Sequence, residues 1–523
     1  MSAPRLEALK DWAARACVLP ILAAPVSNPD LFWHLNAARR ILEEGRLPRY
    51  DSWSFTRLGA PWVDFEWAFQ LSAYAVHESA GWGGLWALKA LLWTLCAALV
   101  ELLGRLSGGA ARGRLLLVFW AAMSLGRAEL KPELFSAVFF LAGLWRLEAG
   151  RRGLLETPRP ARAALAAAAT FALWANLHPG FAGGLGLLAV YAALSSGPQR
   201  RALAAAAAAG AAATLLNPYG WGVWAVLADH ARHAGLLSRH ILEWRALSAA
   251  HPMHWPALAV LGAAAAASAA DRALSRGSAA SGSVGAADRA LSRGSAASGS
   301  VGAAVLAPRR ARFSALEASA WVWGLAALRQ ARHMTYAGPL AGLALLESST
   351  ALADRMGLSP ARRRVVAACA ALAAAGFLAQ KAAVLCLPLR AVELGLFPVR
   401  AAEFVAADGE FRRRRLFNEW GWGGYLAWRL GPDTRVFMDG RYLFHGLLGT
   451  VFDAARSPAT WRDLLDGWGI EWAMVTDESR GGFEPFEWAL VYRDPAARVY
   501  VRRGAFSNAW IREREVPVPR GKR

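Results

Sequence analysis

Asn28-Pro29-Asp30-Leu31-Phe32-Trp33-His34-Leu35 stands where the first hydrophobic segment of the chain ends, and a polar stretch follows it as far as Glu66. It opens the largest non-hydrophobic insert in the first half of the sequence. A carboxylate just past a first membrane span, at the head of an aromatic-rich loop, is costly at the interface and is kept there for a reason. The placement points to an extracytoplasmic site on a membrane protein.

The rest of the chain agrees. Of its 523 residues 55% are hydrophobic, and the mean hydropathy is +0.24. Apolar runs of roughly 20 residues recur through residue 388. Candidate spans are 12–28, 84–105, 115–127, 133–148, 163–178, 181–196, 202–216, 255–270, 313–329, 334–352 and 365–388, or about 11 helices. The expected fold class is therefore mainly α, a polytopic membrane helix bundle, with a small extracytoplasmic α/β domain at the C-terminus.

The net charge of +20 is not a nucleic-acid signature. Arg residues sit in short loops between spans, which is a topology signal. With the N-terminus in the cytoplasm, the loops 105–114, 146–162, 199–201, 272–312 and 355–364 all fall inside, as positive-inside counting requires. Residues 66–82 then read as a helix lying at the outer interface, with Trp67, Phe69, Tyr74 and Trp82 at headgroup depth. The outer face gathers the first external loop 28–83, Arg127-to-Glu133, Asn176-to-Gly180, Asn217-to-Gly220 and Arg329-to-His333. Acids, histidines and asparagines thus collect on one side. The first span reads as retained, because no small-residue cleavage site follows it. The expected location is a cell inner membrane, multi-pass, with the C-terminal domain outside.

Residues 269–285 recur unchanged as 286–302. One adjacent copy is no solenoid, and the Gly/Ser/Ala composition of 269–312 reads as a flexible cytoplasmic linker. The membrane domain is expected over 1–388. From 389 to 523 the pattern turns soluble, with strand-like runs at 435–438, 472–475, 489–492 and 499–501 between helical stretches near 420–430, 443–455 and 459–467. Cys17, Cys96, Cys369 and Cys386 lie in apolar segments without a paired motif and read as small hydrophobes. No phosphate-binding glycine loop, nucleophile elbow or His-Glu-x-x-His is present.

Asp30 is the candidate general base; the plain structural alternative is a helix N-cap, since Leu31-to-Glu44 reads as an amphipathic helix. Glu133 with Asp30 could form a two-carboxylate site holding a divalent cation such as Mg2+ or Mn2+ through oxygen ligands, or be part of a turn pinned by Pro132. Arg127 and Lys131 beside it could bind a phosphate. His178 and His333 flank outer span ends, and Arg329, Arg332 and His333 together offer three donors for a lipid phosphate or diphosphate; alternatively they snorkel to the interface. His34 and Glu66 complete the candidate binding set. Most of the 25 Trp fit an interfacial belt.

This layout resembles the GT-C superfamily of membrane glycosyltransferases, which includes protein O-mannosyltransferases, lipid A aminoarabinose transferases and lipopolysaccharide-sugar transferases. Asp30 matches the family's loop-opening acid. Gly59-Ala60-Pro61-Trp62-Val63-Asp64-Phe65-Glu66-Trp67 matches the approach to its interfacial helix, and Glu133 sits where its second acid would be. The loop opens with Asp-Leu rather than a paired acid, and Glu66 stands near where many relatives carry a basic residue. The resemblance covers about residues 12–350. It implies transfer of a sugar from a polyprenyl-phosphate donor to a lipid, glycan or protein acceptor among membrane lipids, with Asp30 as base and no nucleic acid. The rival expectation is a non-enzymatic lipid-linked saccharide transporter or envelope-assembly protein. Related halves with interrupted mid-membrane helices would favour that rival, and the sequence shows none.

Overall fold

The computed structural model describes residues 3–291, 313–386, 389–477 and 482–517. Helices α1 (Ala3–Ala16), α2 (Leu19–Ala23) and α3 (Asp30–Glu44) open the chain, and α4 (Trp67–Gly108), α5 (Ala110–Ser124) and α6 (Glu133–Arg151) follow the first polar loop. The bundle continues with α7 (Pro160–Ala175), α8 (Phe181–Leu194), α9 (Gly197–Ala213), α10 (Gly222–His240), α11 (Trp255–Leu291), α12 (Ala315–Arg329), α13 (Met334–Arg355) and α14 (Pro360–Leu385). A central apolar core runs through α4, α5, α6 and α13.

Gly81 divides α4. Its φ of 59° and ψ of −153° lie where a Cβ is not tolerated, so glycine allows a sharp bend that other residues would resist. The arm before the bend corresponds to the expected interfacial helix and the arm after it to the first long span. Lys89, fully buried on the second arm, donates to the carbonyls of Ile21 (3.2 Å), Ala24 and Ala128 (3.4 Å). The ammonium thereby satisfies carbonyls at the end of α2 that lack helical partners.

Trp67–Gly108, Pro252–Ser275 and Pro360–Leu385 are each long and apolar enough to cross a membrane. Only 6% of the apolar window in α14 is buried against protein, so that helix requires an apolar surrounding. The other apolar helices are shorter, α8 spanning 14 residues. Residues 269–291, expected as flexible linker, continue α11 as helix. Their alanines favour helix, and no proline interrupts them. The remainder of that segment, 292–312, lies outside the described residues.

Helices α15 (Val399–Ala407), α16 (Gly423–Leu430), α17 (His445–Ala454), α18 (Pro458–Gly467) and α19 (Asn508–Arg514) surround a four-stranded sheet. Its strands β1 (Leu416–Asn418), β2 (Trp472–Val475), β3 (Trp488–Arg493) and β4 (Arg498–Arg502) lie in the order β1-β2-β4-β3. β1 runs parallel to β2, and the other pairs are antiparallel, with Trp472 opposite Val501. The run 435–438 does not join this sheet. Val436 bridges Ser54 of the first external loop instead, through Phe55 N–H to Val436 O (3.1 Å) and Val436 N–H to Trp53 O (3.1 Å). A strand-like run can pair with any free edge, and here the edge belongs to residues nearly 400 positions earlier, which periodicity does not reveal.

That pairing is one of several. After α14 the backbone of Ala391 and Glu393 bonds to Val26 (both 2.9 Å), and α16 packs on α3. At the centre Arg441, 2% exposed, donates to Asp439 (2.8–3.0 Å) and reaches Asp51 at 2.6 Å. Its guanidinium lies over Trp53 at 3.8 Å and Trp62 at 4.8 Å. The C-terminal unit is thereby seated on the polar loop that Asp30 opens.

Candidate active site

Asp30 begins α3, but its carboxylate does not cap the helix. Pro29 occupies the N-cap, and Asn28 Oδ1 accepts the Asp30 N–H (3.1 Å). The Asp30 carboxylate accepts only the Trp33 indole N–H (3.3 Å) among the described residues, on the side of Gly440. A Cβ at position 440 would overlap Asp30 Oδ1, so glycine is needed for the C-terminal unit to approach this closely. Burial pushes the Asp30 carboxyl above the ordinary carboxylate range, opposed by the charge of Lys131.

Asp30 faces a cavity of about 480 Å³. His34, Glu66, Arg127, Lys131, Glu133, His178 and Arg332 line it as well. Arg329 and His333 do not. Arg329 is exposed at the end of α12, and His333 lies beside Gln330 Oε1 (3.2 Å). Gln330 leaves the helical conformation (φ −146°, ψ 114°), so Arg332 belongs to a separate short turn and its side chain is set apart from Arg329. Arg332 rests over Trp244 at 4.3 Å and makes no ion pair among the described residues.

The other cations are committed. Arg127 pairs with Glu133 (2.6 Å) and approaches Glu243 (3.8 Å), and Lys131 pairs with Glu243 (3.0 Å). Glu133 also accepts from Thr335 Oγ1 (2.7 Å). Glu133 is therefore joined to Arg127 rather than to Asp30. Lys131 and Arg127 hold the Glu243 carboxyl well below its usual range. Glu129 lines the cavity too, and accepts from the Ser27 hydroxyl (2.5 Å) and amide (3.3 Å), fixing the start of the loop.

Glu66 sits between two imidazoles, with Oε2 4.0 Å from His34 Nε2 and Oε1 3.9 Å from His178 Nε2. Both gaps exceed a direct hydrogen bond and fit a bridging hydroxyl or water. Burial, with Asp64 and Asp30 nearby, pushes the Glu66 carboxyl well above its usual range, and burial holds His34 neutral. His178 Nδ1 accepts the Gly180 N–H (3.0 Å), which assigns the ring proton to Nε2, toward Glu66. Asp64, whose Oδ2 is buried without a partner, is raised by burial to about 7.

Sequence reasoning did not reach Glu243, Trp244, His230 and Tyr442, all of which line the cavity. Glu243 follows the amphipathic helix α10, which the search for apolar spans passes over; its lone acid beside Trp244 carries no local signal. Metal-ligating groups meet at Asp229, His233 and His445, whose ligand atoms lie within 4.8 Å of one another. Asp30 and Glu133 belong to no such group among the described residues.

No family model matches the chain, and no curated protein matches it in sequence. Solved structures do. The oligosaccharyltransferase of Archaeoglobus fulgidus tethered with an acceptor peptide containing an NVT sequon aligns over 90% of this chain and 69% of its own, with a TM-score of 0.56 at 12% identity. The same organism's oligosaccharyltransferase AglB, in complex with an inhibitory peptide and a dolichol-phosphate, gives 0.54 at 13% identity over 90% and 69%. ArnT from Cupriavidus metallidurans in the apo state aligns over 95% of this chain and 98% of its own, with a TM-score of 0.52 at 14% identity. At such identities the likeness is one of fold: the chain shares the fold of these oligosaccharyltransferases and of ArnT.

Proposed function

We propose that this protein is an integral-membrane glycosyltransferase that moves a sugar from a polyprenyl-phosphate donor to an acceptor at the outer face of a cell's inner membrane, with the bundle of about 11 spans oriented N-terminus inside. The observation that carries the reading is the Asp30 carboxyl, free of a capping role, facing a cavity that also holds the unpaired Arg332. The Archaeoglobus fulgidus oligosaccharyltransferase AglB is found in complex with a dolichol-phosphate, which supports a lipid-phosphate donor here.

In this reading Asp30 takes the proton of an acceptor hydroxyl or amide. The acceptor atom attacks the anomeric carbon, a new glycosidic bond forms, and the bond from that carbon to the phosphate oxygen breaks. The raised Asp30 carboxyl makes it a stronger base than an exposed aspartate. Arg332 neutralises the leaving phosphate, with Lys131 beside it, while Glu133 and Glu243 hold Arg127 and Lys131 in position. Glu66, flanked by His34 and His178, orients a sugar hydroxyl. A divalent cation of the Mg2+ or Mn2+ kind at Asp30 would have to displace Lys131 from its neighbourhood, because Glu133 is already paired.

Asp30→Asn tests the reading. Asparagine keeps the shape and the bond from Trp33 but cannot take the proton. Transfer of a polyprenyl-phosphate-linked sugar by the purified protein should fall about 100-fold or more. Near wild-type transfer by that variant would end the assignment of Asp30 as base, and no transfer by the wild-type protein would favour a lipid-linked saccharide transporter.

A further inference from the structure

We propose that Asp229, His233 and His445 bind one zinc-class divalent cation, which clamps the C-terminal unit to α10 at the rim of the cavity. The site is separate from Asp30, and the inference does not depend on the sugar-transfer reading.

Asp229 and His233 are one turn apart on α10 and so face the same side. His445 opens α17 and is delivered by the C-terminal unit. The two helices meet where Gly449 contacts Leu236, and a side chain at 449 would press into that leucine at 3.0 Å. The result brings His233 Nδ1 to 3.3 Å from Asp229 Oδ1 and His445 Nδ1 to 3.4 Å from Asp229 Oδ2. Ligands held about 2.1 Å from a tetrahedral zinc are about 3.4 Å apart, so both carboxylate–imidazole spacings fit one ion, and all three ligand atoms lie within 4.8 Å of one another.

The polar inventory points the same way. His445 is 8% exposed, and its Nδ1, with the Asp229 carboxylate at 3.4 Å, makes no well-aligned hydrogen bond among the described residues. A buried orphan of this kind is costly unless a ligand completes it. His233 Nδ1 is within 3.0 Å of the Asp229 carbonyl, so without metal it carries the ring proton; for Nδ1 to bind a cation that proton moves to Nε2, the other nitrogen of the same ring. Asp229 and His233 are only half-buried, which gives an ion access. Two imidazoles and one carboxylate select zinc over Mg2+ or Ca2+, whose hard ions prefer oxygen alone. Three protein ligands leave a fourth position for water.

The clamp reaches the cavity through rings. His230 packs edge-on against His445 at 4.9 Å and stacks on Trp244 at 5.9 Å, and Trp244 carries Arg332. An ion on His445 would therefore order the wall on which the free guanidinium rests.

The full-length protein in detergent, stripped with a chelator, should take up one zinc per chain when titrated with zinc chloride in a calorimeter, and its thermal midpoint should rise. His233→Ala and Asp229→Asn should each weaken zinc binding at least tenfold and abolish the thermal shift, while His77→Ala, remote on α4, should keep both. Absence of saturable zinc binding, equal binding of Mg2+, or unchanged zinc stoichiometry in both cluster variants would overturn the proposal. These readouts need no sugar donor, so they stand or fall apart from the Asp30 experiment.

Discussion

Replacing Arg441 by leucine should loosen the C-terminal unit from the polar loop that carries Asp30. The arginine is the shared cation of Asp51 (2.6 Å) and Asp439 (2.8 Å), all three residues being 2% exposed or less. Leucine fills much of the volume under Trp53 and Trp62 but leaves two buried carboxylates facing each other. Removal of one partner from a buried ion pair costs about 3–5 kcal/mol. Every 1.4 kcal/mol is a factor of ten, so amide exchange through the opening of this unit should accelerate by about 150- to 4,000-fold. Hydrogen exchange read by mass spectrometry on peptides covering β2 and α16 measures this directly. Asp51→Asn and Asp439→Asn added to the leucine variant should restore most of the protection, because both orphaned charges are then gone. Protection within threefold of wild type in Arg441→Leu alone would refute the account of what seats the C-terminal unit.

Three further outcomes are expected. Gly440→Ala places a methyl group against the Asp30 carboxylate, so sugar transfer should drop steeply and the thermal midpoint should fall as the C-terminal unit is pushed back; full activity would mean that Asp30 need not hold its observed position. Asp64 is raised in the folded state from 3.8 to about 7, so its ionisation in the unfolded chain progressively destabilises the fold as pH rises from about 4 to 7; Asp64→Asn should raise the thermal midpoint at pH 8 and leave it nearly unchanged at pH 4, and a pH-independent difference would contradict this. Gly81→Ala forces a Cβ into the positive-φ bend of α4 and should destabilise the protein by about 1–2 kcal/mol in thermal unfolding, whereas a stabilised variant would show that the bend is not required.

The sequence by itself determined the features that depend on local hydrophobicity and charge. Apolar runs marked the bundle, the aromatic 66–82 stretch marked the helix that becomes the first arm of α4, and the placement of Asp30 after the first apolar segment marked an acid of the cavity. Three of the four strand-like runs of the tail entered the sheet because their pattern is short-range too. What only tertiary structure decided are the partners. Glu133 turned to Arg127 rather than Asp30, Arg329 and Arg332 parted because Gln330 breaks the helix between them, and Arg441 closed on Asp51 from nearly 400 residues away. Charges choose partners by proximity in the folded chain, and desolvation makes that choice strong only once the surrounding helices have excluded water. Composition places acids and bases on one face; which acid meets which base follows from how the helices and the C-terminal unit pack.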